Sequence, residues 1–231
     1  MKIDKKHFIF ICCMSLVAVC NTAAQTTNLS VREFEKMISQ RDIQLLDVRT
    51  FAEYQNGHLG NALLADWNSE REFAERAKAL DKTKPVYTYC LSGARSGAAV
   101  EWLMLNGFTA YNLDGGINAW RNADRPVVQS VEVKQLTMAE YLAQIPSGKT
   151  VLVDFGATWC APCKKMAPVI DSLVALQENK FILVKIDGGT QIDICKELKI
   201  DAFPTFIIYK QGKVTWRKNG LVEIKEFEGN L

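Results

Sequence analysis

Cys160 and Cys163 stand three residues apart in Trp159-Cys160-Ala161-Pro162-Cys163, where an apolar strand pattern gives way to a helical one. Free N–H groups and the macrodipole at a helix N-terminus stabilise an anion there. This favours a thiolate on Cys160, which the pattern predicts as the exposed first residue of the helix. Cys163, one turn further on, is in reach of a mixed disulfide formed on Cys160. One attacking and one resolving thiol make a dithiol–disulfide exchange centre. Two alternatives stand beside it. Half a zinc site needs four ligands in all, and Cys90, Cys195 and His58 are scattered along the chain. A purely structural disulfide across so short a loop is a weak staple, since loop-closure stabilisation falls with loop length.

A second centre is Cys90-Leu91-Ser92-Gly93-Ala94-Arg95-Ser96, after one apolar strand and before a helix. Such a loop turns successive N–H groups inward as an anion-binding nest, and Arg95 adds positive charge. The spacing from Cys90 to Arg95 leaves four residues between them, a cradle suited to a single sulfur, as thiolate or persulfide. Phosphatases that use a Cys nucleophile have five. Asp154 is a lone carboxylate in the apolar run 151–155, so burial should raise its pKa. Cys195, in the helical stretch 192–198, reads as a buried inert thiol. Only two histidines, His7 and His58, are present, which excludes sites built from several; His58 reads as a structural hydrogen-bonding group.

These residues need elements to hold them. The 231 residues are 48% hydrophobic and 23% charged, a globular composition, with 28 Lys plus Arg against 26 Asp plus Glu. That balance carries no electrostatic footprint for nucleic acid. The basic start Lys2, Lys5, Lys6, the apolar run 8–19 and the small residues Thr22-Ala23-Ala24 form a secretory signal pattern, with cleavage expected after Ala24. Val17-Ala18-Val19-Cys20 offers a lipoprotein signal as the alternative, with a lipid anchor through Cys20. Capping-box patterns start helices at Ser30 and Thr137. Strands are expected at 43–48 and 85–89 with a helix over 98–105. Further on come a strand at 151–155, a helix from about Cys163 to Leu176, a strand at 181–186, and a hairpin of 205–210 with 213–216 around Gln211-Gly212. Alternating strands and helices predict α/β structure with a parallel sheet in the N-terminal half. The polar stretch 122–133 reads as the linker, ending near Ser130.

The segment VLVDFGATWCAPCKKMAPVID, with Phe203-Pro204-Thr205, resembles the thioredoxin family over about residues 133–231. The resemblance implies a thioredoxin fold with Cys160 and Cys163 as the redox pair and Asp154 as the proton-shuttling carboxylate beneath Cys163. It further implies a cis-proline loop at Pro204, with Trp159 and Thr205 at the client surface. The lysine often found near that carboxylate falls at Leu183, and the last helix is short. Ala161-Pro162 is closer to the Gly-Pro of reducing members than to the centres of strong oxidants, which implies reduction or isomerisation. Residues 29–128 resemble a rhodanese (sulfurtransferase) domain. The resemblance rests on Leu46-Asp47-Val48-Arg49, Glu53-Tyr54, Gly57-His58, the Cys90 loop and Asp114-Gly115-Gly116-Ile117-Asn118-Ala119-Trp120. It implies catalytic roles for Cys90 and Arg95 and a binding loop of Leu91, Ser92, Gly93, Ala94 and Ser96. Leu91 replaces an arginine of many members, which puts thiosulfate in doubt as donor.

The expectation is therefore an α/β chain with a signal at 1–24, a rhodanese-like domain at 25–130 and a thioredoxin domain at 131–231. It should act as a protein thiol–disulfide oxidoreductase, with Cys90 carrying a persulfide; the alternative is a silent rhodanese half that docks clients. Neither metal nor organic cofactor is expected. The expected partners are protein thiol or disulfide clients, a sulfane-sulfur donor and a membrane electron-donor protein, at a site across the inner membrane.

Overall fold

The computed structural model describes residues 27–129 and 133–231. The expected export signal lies outside them. No helix among the described residues is long and apolar enough to cross a membrane.

The N-terminal unit runs β1 (Asn28–Leu29), α1 (Val31–Ile38), β2 (Gln44–Asp47), α2 (Phe51–Gln55), β3 (Leu63–Leu64), α3 (Glu70–Ala77), β4 (Val86–Tyr89), α4 (Ala94–Leu105), β5 (Ala110–Leu113) and α5 (Gly116–Asn122). Its five strands are all parallel, in the order β1-β5-β4-β2-β3. A parallel sheet is stable when both faces are covered. Every residue of β4 is accordingly buried, Thr88 included. Ser30 and Thr50 begin α1 and α2 with complete capping boxes to Glu33 and Glu53.

The C-terminal unit runs α6 (Met138–Leu142), β6 (Val151–Gly156), α7 (Ala161–Leu176), β7 (Ile182–Asp187), α8 (Ile192–Glu197), β8 (Thr205–Lys210), β9 (Lys213–Asn219) and α9 (Ile224–Glu228). Its sheet order is β7-β6-β8-β9, with β6 and β7 parallel and the last two pairings antiparallel. The β8–β9 hairpin turns at Gln211 and Gly212, both at positive φ, as a two-residue turn matched to strand twist requires. Strand β9 continues to Asn219, beyond the expected end at Trp216. Helix α7 starts at Ala161, ahead of the expected Cys163, because its first turn tolerates Pro162, whose missing N–H has no role there.

Much of the expected linker is not free chain. Pro126 accepts a hydrogen bond from Trp120 Nε1 (2.9 Å), Val127 packs on the N-terminal core, and Val128 exchanges two backbone bonds with His58 (2.8 and 2.9 Å). The units share packing as well. Trp159 and Cys160 belong to an apolar cluster with Leu45, Tyr54, Leu64 and Tyr89, and Ala161 joins another with Leu46, Leu63 and Leu80.

Candidate active site

Strand β6 delivers the chain to the start of α7, and Cys160 occupies the cap position with extended backbone. The Cys163 N–H donates to Cys160 Sγ (3.1 Å), and the two cysteines form a disulfide with their Cα atoms 5.2 Å apart. Both sulfurs are thereby engaged with each other. The expectation of an exposed Cys160 inside the helix is corrected on both counts. It is the cap, and its exposure is 0%, because the N-terminal unit lies over it. Cys163 is half-buried.

Asp154 sits on β6 directly opposite Lys185 of β7. Burial pushes its carboxyl up to about 6, against the opposing pull of the Lys185 charge. The lysine sought at Leu183 therefore has a counterpart, placed by strand register rather than by alignment. Gly156 lies between the acid and the disulfide: a Cβ there would stand 3.6 Å from Cys163 Sγ and 3.9 Å from Asp154 Oδ1. Asp154, Cys163 and Lys185 line one cleft between the units, with Tyr54 and His58 on its far wall. A carboxyl raised to about 6, next to Cys163, can accept or donate a proton as that cysteine attacks.

The Phe203–Pro204 bond is cis, as expected. Phe203 packs on Trp159 with ring centroids 5.8 Å apart, which brings the proline loop to the redox turn. Thr205 is fully buried and its hydroxyl donates to Ala202 O (2.6 Å), so its side chain faces inward rather than toward a client. Trp159 is 6% exposed, enclosed by Phe51 (5.4 Å), Tyr54 (6.3 Å) and the Arg76 guanidinium (4.7 Å). Cys195 is buried in the C-terminal core and burial pushes its thiol up to about 11, in keeping with an inert role.

Cys90 follows β4 and sits in a tight cradle. Its thiol is 1% exposed. Burial, the largest single influence, works to raise its pKa. The Ser96 hydroxyl and N–H and the N–H groups of Ser92 and Gly93 outweigh burial, and the net shift is downward. The Gly93 N–H lies 3.1 Å from the sulfur, and Gly93 adopts the left-handed conformation that lets the loop curl into α4. Leu91, Ser92 and Ala94 are exposed at the rim, and Leu91 is 40% exposed.

Supports from other elements hold this loop; Glu53, Gly116, Ile117 and Asn118 stood in the segments that carry the rhodanese resemblance without a stated role, and Asn112 was not singled out. Arg95 is held by Glu53 through two hydrogen bonds (2.6 and 2.9 Å), so its charge is shared with a carboxylate. That pair lowers Glu53 to about 2. The spacing of Thr50 and Glu53 as a capping box was the available signal. Gly116 lies under the loop at positive φ, and a Cβ there would meet Cys90 O at 2.6 Å. Ile117 and Asn118 donate backbone bonds to Cys90 O (2.8 Å) and Leu91 O (3.1 Å), and Asn112 Nδ2 donates to Gly93 O (3.2 Å). His58 stacks on Tyr54 at 3.7 Å, and burial lowers its pKa, as suits a structural group.

The structure does not bring the two sulfur centres together. The Leu64 N–H, on edge strand β3, donates to Trp159 O (2.9 Å). Cys90 follows β4, with β2 and β3 between it and the redox turn. Three strand spacings amount to about 14 Å.

The family model for the rhodanese-like domain matches residues 30–123, and that for thioredoxin matches residues 132–230. A thioredoxin-like protein of Synechocystis is 37% identical over 92 residues, 40% of this chain and 86% of its own length. A bifunctional thioredoxin reductase/thioredoxin of Mycobacterium leprae is 38% identical over 80 residues, 34% of this chain and 18% of that protein. Several curated relatives are thus spanned over less than two thirds of their length. A rhodanese-related protein of Thermoplasma volcanium matches in structure with a TM-score of 0.41 and 29% identity, covering 45% of this chain and 98% of its own.

Proposed function

Because the chain belongs to the thioredoxin family and carries a rhodanese-like domain ahead of that fold, we propose that it reduces protein disulfides through Cys160 and Cys163. The observation that carries this is the redox turn: a cap cysteine at the start of α7, its partner one turn on, and a carboxyl with a raised pKa beside that partner. Cys160 attacks a client disulfide, Cys163 resolves the mixed disulfide, and Asp154 handles the proton. Ala161-Pro162 supports the reducing direction. The signal pattern in residues 1–24 supports a site outside the cytoplasm, where a reductant needs electrons from a membrane donor.

For the first domain the inward N–H groups around Cys90 support a persulfide carrier, which would accept sulfane sulfur from a donor and pass it to a thiol. The separation of Cys90 from the redox turn favours the second reading, a docking role, over direct hand-over in the closed arrangement.

The test is insulin reduction by the full chain with dithiothreitol as electron source. Cys160→Ser should abolish turnover and Cys163→Ser should accumulate mixed disulfides. Unchanged turnover in Cys160→Ser would overturn the assignment. A mass gain of one sulfur on Cys90 after treatment with a sulfane donor would support the carrier role, and its absence the docking role.

A further inference from the structure

The redox turn is the part of the C-terminal unit that a protein client must reach, and it is occupied. Both backbone groups of Leu64 point away from the N-terminal sheet. Its N–H donates to Trp159 O (2.9 Å) and its carbonyl accepts from Arg76 Nη1 (2.9 Å). Arg76 then lays its guanidinium over the Trp159 ring at 4.7 Å. Phe51 and Tyr54 close on the same ring from α2. Beneath this cover Cys160 has no exposed surface. The edge strand of one unit is thus paired with the active turn of the other, in the manner of an extended ligand added to a sheet edge.

We propose that the edge of the N-terminal sheet, Leu64 with Arg76 behind it, is an internal occupant of the client-binding surface, so that exchange with a protein disulfide requires the two units to undock. A client strand would compete for the same Trp159 carbonyl and the same aromatic face. The arrangement also protects the edge of β3, which would otherwise offer unpaired backbone to other chains. The inference rests on the redox reading above only through turnover; the cover itself is read independently.

The experiment uses the full chain. After reduction, N-ethylmaleimide is added and the modification rate of Cys160 is followed by peptide mapping, folded and in urea. The folded chain should protect Cys160 at least about tenfold relative to urea, allowing for the cap position's tendency to favour thiolate. Arg76→Ala removes the cation over the ring and should raise both the modification rate and insulin turnover by about twofold to thirtyfold. Leu64→Pro deletes the outward N–H, which a strand edge tolerates, together with part of the buried leucine's packing against Trp159 and Cys160, and should act in the same direction. Protection below about threefold in the wild-type chain overturns the proposal, even if either variant fails to fold. So do unchanged modification and turnover in both folded variants. Protection relieved by Arg76→Ala in a chain that reduces no insulin would keep the cover and remove the redox reading instead.

Discussion

Asp154 shows how one residue's chemistry depends on neighbours from other parts of the chain. Its carboxyl is raised from 3.8 to about 6 by burial, with Lys185 pulling the other way. An acid with a raised folded pKa favours the folded state fully below the unfolded value, and that advantage is lost as pH rises through the folded value. Above about pH 6 the fold must hold a charge in a poorly solvated place. Asp154→Asn should therefore be more stable than the parent at about pH 8, by at most about 3 kcal/mol, with the difference vanishing below about pH 4. Urea unfolding at both pH values measures this, and equal stability at the higher pH would remove the buried acid from the account. The same variant should resolve mixed disulfides more slowly, because an amide cannot take the proton. Cys160, Cys163, Cys90 and Asp154 were legible because each announces itself within a few residues of chain. Lys185 was not, because its position beside Asp154 follows from β6–β7 register, which local spacing does not contain.

At the scale of elements, the strand–turn–helix junctions do the positioning, and two kinds of signal located them. Capping boxes at Ser30 and Thr137 marked helix starts, and apolar runs marked β4 and β6. What escaped was support arriving from a distant element. The start of α5 lies under the Cys90 loop only because Gly116 has no side chain. Gly116→Ala would place a carbon 2.6 Å from Cys90 O and 2.7 Å from Leu91 C, at a φ of 59°. Both neighbours are backbone, so neither can turn aside as a side chain would. The expected loss is about 2–3 kcal/mol, combining the left-handed conformation with displacement of the loop. Thermal unfolding measures it. Cys90 should also lose its lowered pKa, seen as an alkylation profile displaced to higher pH. A variant as stable as the parent, with the same profile, would show that the loop stands without this floor.

At the scale of the whole molecule, two units with separate sheets pack against each other at the redox turn. The sequence marks both units and the join between them. It does not mark the docking, which depends on surfaces from α2, β3 and α3 meeting a turn about a hundred residues away. Trp159 is the centre of that contact: it belongs to the N-terminal apolar cluster, touches Phe203 of its own unit and lies under Arg76 of the other. Truncating a buried tryptophan costs about 3–5 kcal/mol, and here the loss falls on the contact that couples the units. The parent chain should therefore unfold in one urea transition, and Trp159→Ala in two. The buried thiols of Cys90 and Cys195 report separately on the two cores. Under non-reducing conditions the Cys160–Cys163 disulfide is silent to an alkylating reagent, so peptide mapping of those two thiols follows each unit alone. Coincident midpoints in the parent and separated midpoints in the variant are the expected result. Separate midpoints in the parent would mean that the docked contact contributes little to folding and that each core stands on its own packing.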